Sequence, residues 1–537
     1  MRRWLTSAPP TTIALLIVLF FIIDRALGAG FLLPEFCNED ERWIRDGAVK
    51  MVQEASLDPG THKYPELMFF LTAAVYESAY LAANFSALPH FESRPSFSWH
   101  RAHYAFDFAA TVALGRMLVA ALGAVSLLVF YRLARREYGE EAALPALLLF
   151  ATAPAWLFST LLLKPDALLV MGVLLTVSAS LKLLASGKSG DYVWAGLAVG
   201  LCLAAKYHIA AIVPVLFAHR LHHHELSLAR AFRQPRWLIS LAAALLAFAL
   251  LSPITWLDFQ GAFEQGALEL TLQRADPLLL RSSERWWHLP ILFQFLAALP
   301  LALGIPMYLL SLVGIFRRFD FADRRALVFW SYPAGFIAFM ILMSDLGAPH
   351  LYTTAAPFFA LAAAKVVAPW MGMPSRMKRA GAVILIGLLA AYNLFFFHSL
   401  TRLEDTIIRD STARMEQTHQ AGQKDLGLVP YYPNPDRNWT ITFLPQFMLS
   451  PSMIAETAPD RILIHHAYYN AYLDNPELMN NPPTAAMMLF YLELRAGKAG
   501  FREADRWTGE SLTLRINQAL MPDLGGMRVS VYEKRGP

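Results

Sequence analysis

Up to about residue 398, apolar positions do not alternate with polar ones but come in long blocks closed by short polar turns. A helix needs about 20 apolar residues to cross a bilayer. Blocks of this kind, some shorter, fall at residues 11–31, 112–131, 142–163, 167–184, 192–205, 208–218, 237–254, 289–316, 326–343, 351–367 and 380–397. The pattern predicts a polytopic α-helical membrane protein of about 11 spans. Only Lys206 and Tyr207 separate the fifth block from the sixth, so these two are expected to form a hairpin of half-penetrating helices or one long bent helix.

Two regions depart from the block pattern. Residues 35–66 form a polar island directly after the first block, with Glu39, Asp40 and Glu41 near one end and Lys63, Tyr64 and Pro65 near the other. Asn38 with Glu41 three residues on is a capping-box pattern, and Ile44, Ala48, Met51, Val52 and Ala55 recur at helical spacing, which predicts an amphipathic helix. The apolar-rich stretch at 67–81 is expected to lie at the membrane surface rather than to span. Past residue 398 the composition is that of a soluble domain. Strands are expected at 439–444, 461–465 and 527–532 and a helix at 484–494, giving a small C-terminal α/β domain. The organisation is thus residues 1–398 as the membrane domain, with loop 32–111 carrying the acidic cluster, and residues 399–537 as an extracytoplasmic domain.

Composition supports this reading. Hydrophobic residues make up 56% and charged residues 16%, with a mean hydropathy of +0.38, against about 25% charged in soluble domains. A net charge of +4 spread over short loops excludes a nucleic-acid footprint, and two cysteines, Cys37 and Cys202, make no disulfide framework. Basic residues gather in alternate loops: Arg132, Arg135 and Arg136; Lys182 and Lys188; Arg220, Arg230, Arg233 and Arg236; Arg317, Arg318, Arg324 and Arg325; Arg376, Lys378 and Arg379. The positive-inside rule then places the N-terminus in the cytoplasm and the polar island and C-terminal domain outside a plasma (inner) membrane.

Several charges sit at or near membrane depth, where they are costly and mark function or inter-helix ion pairs. They are Arg116 in the second block, Lys164 and Asp166 in a very short turn, and Lys206. His350 lies in another short outer loop, and the Trp286-Trp287 pair reads as a membrane-interface belt. Acids in a first helical turn also complement the helix dipole, for about 0.3–1 kcal/mol each. Lys63 and Tyr64 equally suit an interfacial anchor.

In this order the pieces resemble the C-type glycosyltransferase superfamily, in particular the group of protein O-mannosyltransferases and the aminoarabinose transferase of lipid A. The resemblance covers roughly the first 370 residues. It rests on Asp40-Glu41 in the first outer loop, Lys63-Tyr64-Pro65, Gly115-Arg116, Pro165-Asp166 and Ala205-Lys206. The triplet leaves Glu39-Asp40 as an alternative frame, and neither a WWD signature nor an Asp-x-Asp metal motif is present. The resemblance implies inverting transfer of a monosaccharide from a polyprenyl-phosphate donor to an acceptor lipid, glycan or protein at the outer face of the membrane. Asp40 would be the general base and Glu41 would orient it or the acceptor. Lys63, Arg116 and Lys206 would face the phosphate, with Tyr64, Asp166 and His350 as further substrate contacts. With these cations no cofactor is required, and a divalent metal remains compatible with the scheme. A multi-span transporter or lipid flippase is the rival class, although neither internal repeats nor a midplane site stand out.

Overall fold

The computed structural model describes residues 9–83, 106–266, 290–343, 349–429, 431–444, 449–466, 482–508 and 528–535. The Trp286-Trp287 belt and residues 344–348 lie outside them. The helices that matter here are α1 (Pro10–Gly28), α2 (Glu39–Glu54), α3 (Leu67–Ala83), α4 (Phe108–Tyr138), α5 (Glu140–Ala151), α6 (Pro154–Leu161), α7 (Asp166–Ser186) and α8 (Ser189–Lys206). They are followed by α9 (Val213–His222), α10 (Arg236–Leu251), α11 (Ile305–Arg318), α12 (Arg324–Met343), α13 (Ala356–Met371) and α14 (Arg376–Gln417), and in the C-terminal part by α15 (Pro451–Thr457) and α16 (Pro482–Arg495).

Every apolar block expected to span falls on a helix or a bent helix pair. Among the described residues, five single helices are long and apolar enough to cross a membrane, and two bent pairs raise this to seven by length and composition. The rest of the expected spans are shorter helices, and the breaks have local causes. Pro154 opens α6 after a bend of 54° from α5, since proline lacks the N–H that would continue the helix. Gly304 (φ 82°) precedes α11 at a bend of 116°. A Cβ there would lie 1.9 Å from Asn393 Oδ1, so only glycine fits. Between the fifth and sixth blocks α8 stops at Lys206, Tyr207 takes a left-handed conformation (φ 50°), and a 3₁₀ turn, Ile209–Ile212, leads into α9. This is a break, not one long bent helix.

The island folds as its pattern predicts, with Asn38 and Glu41 forming a reciprocal capping box at the start of α2. Ile44, Ala48, Met51 and Val52 are buried, whereas Ala55, expected on the same face, is the left-handed C-cap. Helix α3 does more than lie at a surface, because Met68 and Phe69 are fully buried and Phe69 fills the space left by Gly47 of α2.

The C-terminal part is built on five strands in the order β4-β2-β5-β7-β6: β2 (Asp425–Leu428), β4 (Ile441–Phe443), β5 (Arg461–His465), β6 (Phe501–Thr508) and β7 (Arg528–Lys534). Strand β2 runs parallel to β4 and β5, and β7 antiparallel to β5 and β6. Alternate residues face opposite sides. Ile462 and Ile464 pack with Met488 and Tyr491 of α16, while Leu463 and Val531 pack with Ile407, Ile408 and Met415 at the far end of α14. The 42-residue α14 therefore runs unbroken from an apolar first half through position 398 into this sheet. A buried Arg461–Asp425 pair fixes its end, because Arg461 also donates to the Met415 carbonyl (2.7 Å). The expected strands at 439–444, 461–465 and 527–532 and helix at 484–494 correspond to β4, β5, β7 and α16.

One pairing joins the two parts. Strand β1 (Phe36–Asn38), just before α2, lies antiparallel to β3 (Tyr431–Pro433), with Cys37 opposite Tyr432. Phe36 is fully buried against Trp439 and Phe443, each 5.3 Å between ring centroids. Arg409 of α14 hydrogen-bonds Glu35 (2.6 Å), and the Asn434 side chain donates to the Pro34 carbonyl (3.0 Å). We therefore predict that Phe36→Ala costs about 3–5 kcal/mol, read as a lower unfolding temperature in detergent. The Cys37-to-α2 segment should then become protease-sensitive before the helices unfold.

Candidate active site

The first turn of α2 sends its three acids in different directions, about 100° apart per residue. Glu39 points to solvent, Asp40 is partly exposed and Glu41 is fully buried. Glu41 is saturated. Its carboxylate receives Arg116 Nε (2.8 Å) and Nη2 (2.7 Å) as a bidentate pair, the Leu163 backbone N–H (2.7 Å) and the Asn38 backbone N–H (2.9 Å). Arg116 spends its remaining donors on the carbonyls of Ala29 (2.8 Å) and Phe31 (2.7 Å). Gly115 makes this approach feasible, since a Cβ there would sit 2.5 Å from Leu163 Cδ2. Four segments, namely the end of α1, α2, α4 and the α6–α7 turn, thus meet on one buried ion pair. Arg116, expected to face a phosphate, and Glu41, expected beside the base, face each other instead.

Asp40, one position earlier, keeps 28% of its side chain exposed and meets two ammonium groups: Lys164 on Oδ2 at 2.8 Å and Lys63 on Oδ1 at 3.3 Å. Burial alone would raise the Asp40 carboxyl, but Lys164 and Lys63 outweigh it and hold the group well below the usual carboxylate range. Lys63 also lies 5.5 Å from the Trp43 ring, and Tyr64 beside it is buried. A second pair stands next to the first, with Lys206 at the end of α8 donating to Asp166 Oδ1 (2.8 Å) at the start of α7. Asp166 Oδ2 is buried without a hydrogen-bond partner among the described residues. His350, on the 3₁₀ turn Pro349–Thr354, completes the group. Burial, then Lys164 and Lys206, push it down to about 3, so it is neutral at pH 7.

The structure therefore gathers Asp40, Lys63, Asp166, Lys206 and His350 from distant parts of the chain. Three ammonium groups face two carboxylates here, leaving one positive charge in excess. Such a mouth suits an anion of one negative charge, such as a phosphodiester. Among the described residues no cluster of three or more His, Cys, Asp or Glu side chains gathers to hold a metal ion.

Sequence reasoning underweighted two residues. Lys164 was visible only as a charge in a short turn, yet its side chain is 5% exposed and it makes the shortest contact to Asp40. Glu66, one residue past Lys63-Tyr64-Pro65, carried no signal. It is fully buried and accepts from the Thr255 N–H (2.8 Å) and hydroxyl (2.5 Å). Tyr207 donates to the His62 carbonyl (3.2 Å), and His62 Nε2 pairs with Asp258 (2.9 Å). These contacts carry the Lys63 segment against the strained end of α8.

Residues 105–256 match the family model described as dolichyl-phosphate-mannose-protein mannosyltransferase. That span covers a little over a quarter of the chain and holds Arg116, Lys164, Asp166 and Lys206. No protein of curated function matches the sequence at a significant level. Among solved structures, the chain is similar to ArnT from Cupriavidus metallidurans, at 12% identity over 98% of this chain and 99% of that one, with a TM-score of 0.47. It is similar also to the Archaeoglobus fulgidus oligosaccharyltransferase, at 11% identity over 99% and 89% with a TM-score of 0.49. The S. cerevisiae Pmt1-Pmt2 complex aligns with 48% of this chain and 34% of its own at 16% identity, with a TM-score of 0.33.

The geometry separates a holding carboxylate from an accessible one. Glu41→Gln should leave Arg116 buried without its counter-charge and cost about 3–5 kcal/mol, seen as a fall in thermal midpoint and in yield of folded protein. Glu39→Gln, at an exposed position, should unfold with wild-type behaviour.

Proposed function

We propose that the protein transfers a monosaccharide, with inversion, from a polyprenyl-phosphate donor to an acceptor hydroxyl or amine at the outer face of the plasma membrane. The observation that carries this reading is Asp40, an accessible carboxylate set among Lys63, Lys164 and Lys206 where the helices end. The family description names a dolichyl-phosphate sugar as donor, which is the charge class the site suits. Asp40 takes the proton from the acceptor as its oxygen or nitrogen attacks the anomeric carbon from the face opposite the phosphate. The lysines stabilise the negative charge that grows on the departing phosphate. Asp166 holds Lys206 in place, and neutral His350 and Tyr64 offer hydrogen bonds to the sugar or acceptor. Arg116 and Glu41 hold the helix that carries the base, and the phosphate role first given to Arg116 passes to Lys164. No step in this scheme calls on a metal.

Orientation follows from where the charges lie along α4. Arg116 sits at the level of the site and Arg135 nineteen residues further on, about 30 Å at 1.5 Å per residue, the thickness of a hydrocarbon core. At that opposite end Arg325 bonds Glu137 (3.0 Å), which brings two basic turns together. We read this end as cytoplasmic and the end carrying Asp40 and the C-terminal sheet as outer. Engineered cysteines near Asp58 and Asp436 should react with an impermeant maleimide in whole cells, and those near Lys188 and Asp320 only after permeabilisation. The opposite pattern would remove the outer-face assignment.

Purified protein in liposomes should move radiolabelled sugar from a synthetic polyprenyl-phosphate donor to an acceptor chosen by screening membrane lipids, glycans and Ser/Thr peptides. The product should carry the inverted anomeric configuration, and turnover should survive EDTA. A retained configuration would demand a covalent intermediate and rule out Asp40 as a simple base.

A further inference from the structure

We propose that Lys164 is a shuttling cation: it binds the Asp40 carboxylate while the donor site is empty and passes to the donor's phosphate as the glycosidic bond breaks. This rests on the glycosyl-transfer reading above and adds a role for a residue that neither the family description nor the sequence pattern assigns. It acts on the base through charge while the donor site is empty and touches the donor itself during transfer.

The difficulty it resolves is physical. A carboxylate clamped by two ammonium groups has little affinity for a proton, yet a general base must take one. Asp40 is held by Lys164 at 2.8 Å and Lys63 at 3.3 Å. It is also faced by Lys206 from the end of α8, by His350 from the 3₁₀ turn, by Asp166 from α7, and by Glu39 and Glu41 beside it on α2. Of these cations Lys164 is nearest and most buried, with 5% of its side chain exposed against 15% for Lys63 and 27% for Lys206. Its departure would therefore change Asp40 most, since low-dielectric surroundings strengthen each contact.

The charges in the reaction supply the reason to move. The new bond joins the acceptor oxygen or nitrogen to the anomeric carbon. The bond between that carbon and the phosphate oxygen breaks, its electron pair staying on the phosphate, which goes from one negative charge to two. The acceptor's proton goes to Asp40, which goes from one negative charge to none. Negative charge thus leaves Asp40 and appears on the phosphate in one step, and a mobile ammonium between them follows it. Asp166 also attracts Lys164, and together with Asp40 it keeps that ammonium charged despite its burial. Asp166 Oδ2, buried and without a hydrogen-bond partner among the described residues, gives it a carboxylate to lean on while it moves.

The consequence is a difference between the two acid limbs of the pH–rate profile. The limb in kcat/KM reports Asp40 in the free enzyme and the limb in kcat reports it in the donor complex. A depressed carboxyl stays ionised until pH falls through its own low value, so the kcat/KM limb should lie below the ordinary carboxylate value of about 3.9. The kcat limb should lie at least one pH unit above it. The phosphate's own charge also raises Asp40, so the wild-type gap alone does not isolate Lys164. Lys164→Met does: its kcat/KM limb should move up by a unit or more and the gap should narrow, with kcat down roughly 10–100-fold, whereas Lys164→Arg should restore most of the gap. Lys206→Met, which leaves the Asp40 contacts in place, should lose rate with the gap intact. An unchanged gap in Lys164→Met, or wild-type limbs that coincide, would overturn the proposal while leaving glycosyl transfer standing. Absence of transfer by the wild type would instead sink the functional reading beneath it. If Lys164→Met fails to fold, Lys164→Gln takes its place: a purely structural lysine leaves the wild-type gap unchanged, whereas a shuttling one narrows it.

Discussion

The buried Glu41–Arg116 pair is the interaction on which the rest of the site depends. Two opposite charges, 0% and 2% exposed, are taken out of water together, which is tolerable only because four further hydrogen bonds, to Ala29, Phe31, Leu163 and Asn38, use what the pair leaves free. Together with α4, which carries Arg116, those bonds tie four separate segments to one another, so the pair fixes where α2 begins. Asp40 and its exposure then follow from helix geometry, one residue and about 100° away. The pairing of β1 with β3, a strand of the C-terminal part, adds a second fixture immediately before the acids. A carboxylate held from both sides would lose little freedom when substrate arrives, which is the general requirement for an effective site.

In the proposed reaction the charges around Asp40 would both bind and activate a glycosyl donor with an anionic leaving group. The excess of one positive charge would draw a phosphodiester to the start of α7 and the end of α8. The same lysines would also mask the base. Binding and activation would then be linked through shared cations, not through separate subsites, with the C-terminal part holding the segment that carries the acids.

Much of this was legible in the sequence because its signals are local. Apolar blocks named the helices, the Asn38-to-Glu41 spacing named the cap of α2, and the strands β4, β5 and β7 announced themselves by alternation. What stayed hidden is long-range. The capping-box spacing marks Glu41 as a helix cap, but only the fold turns Asp40 toward lysines and Glu41 toward Arg116, 75 positions away. Lys164 looked like one charge in a turn because its partner lies in another part of the chain. Strand β6 escaped because FREADRWT is a charged edge strand, a sequence that protects an unpaired edge and hides the usual pattern. Strand β2 is only four residues long and begins on the buried Asp425. The breaks at Gly304 and Tyr207 turned expected spans into bent or short helices, since an apolar run gives no account of backbone that must turn.

Whether Asp40 does the chemistry while its neighbours hold it can be read from the single-turnover rate of Asp40→Asn with bound donor, beside Glu39→Gln. Asp40→Asn should lose about 10²–10⁴-fold with donor still bound, and Glu39→Gln should keep a near wild-type rate. Near-normal turnover in Asp40→Asn, or an equal loss in Glu39→Gln, would contradict that role.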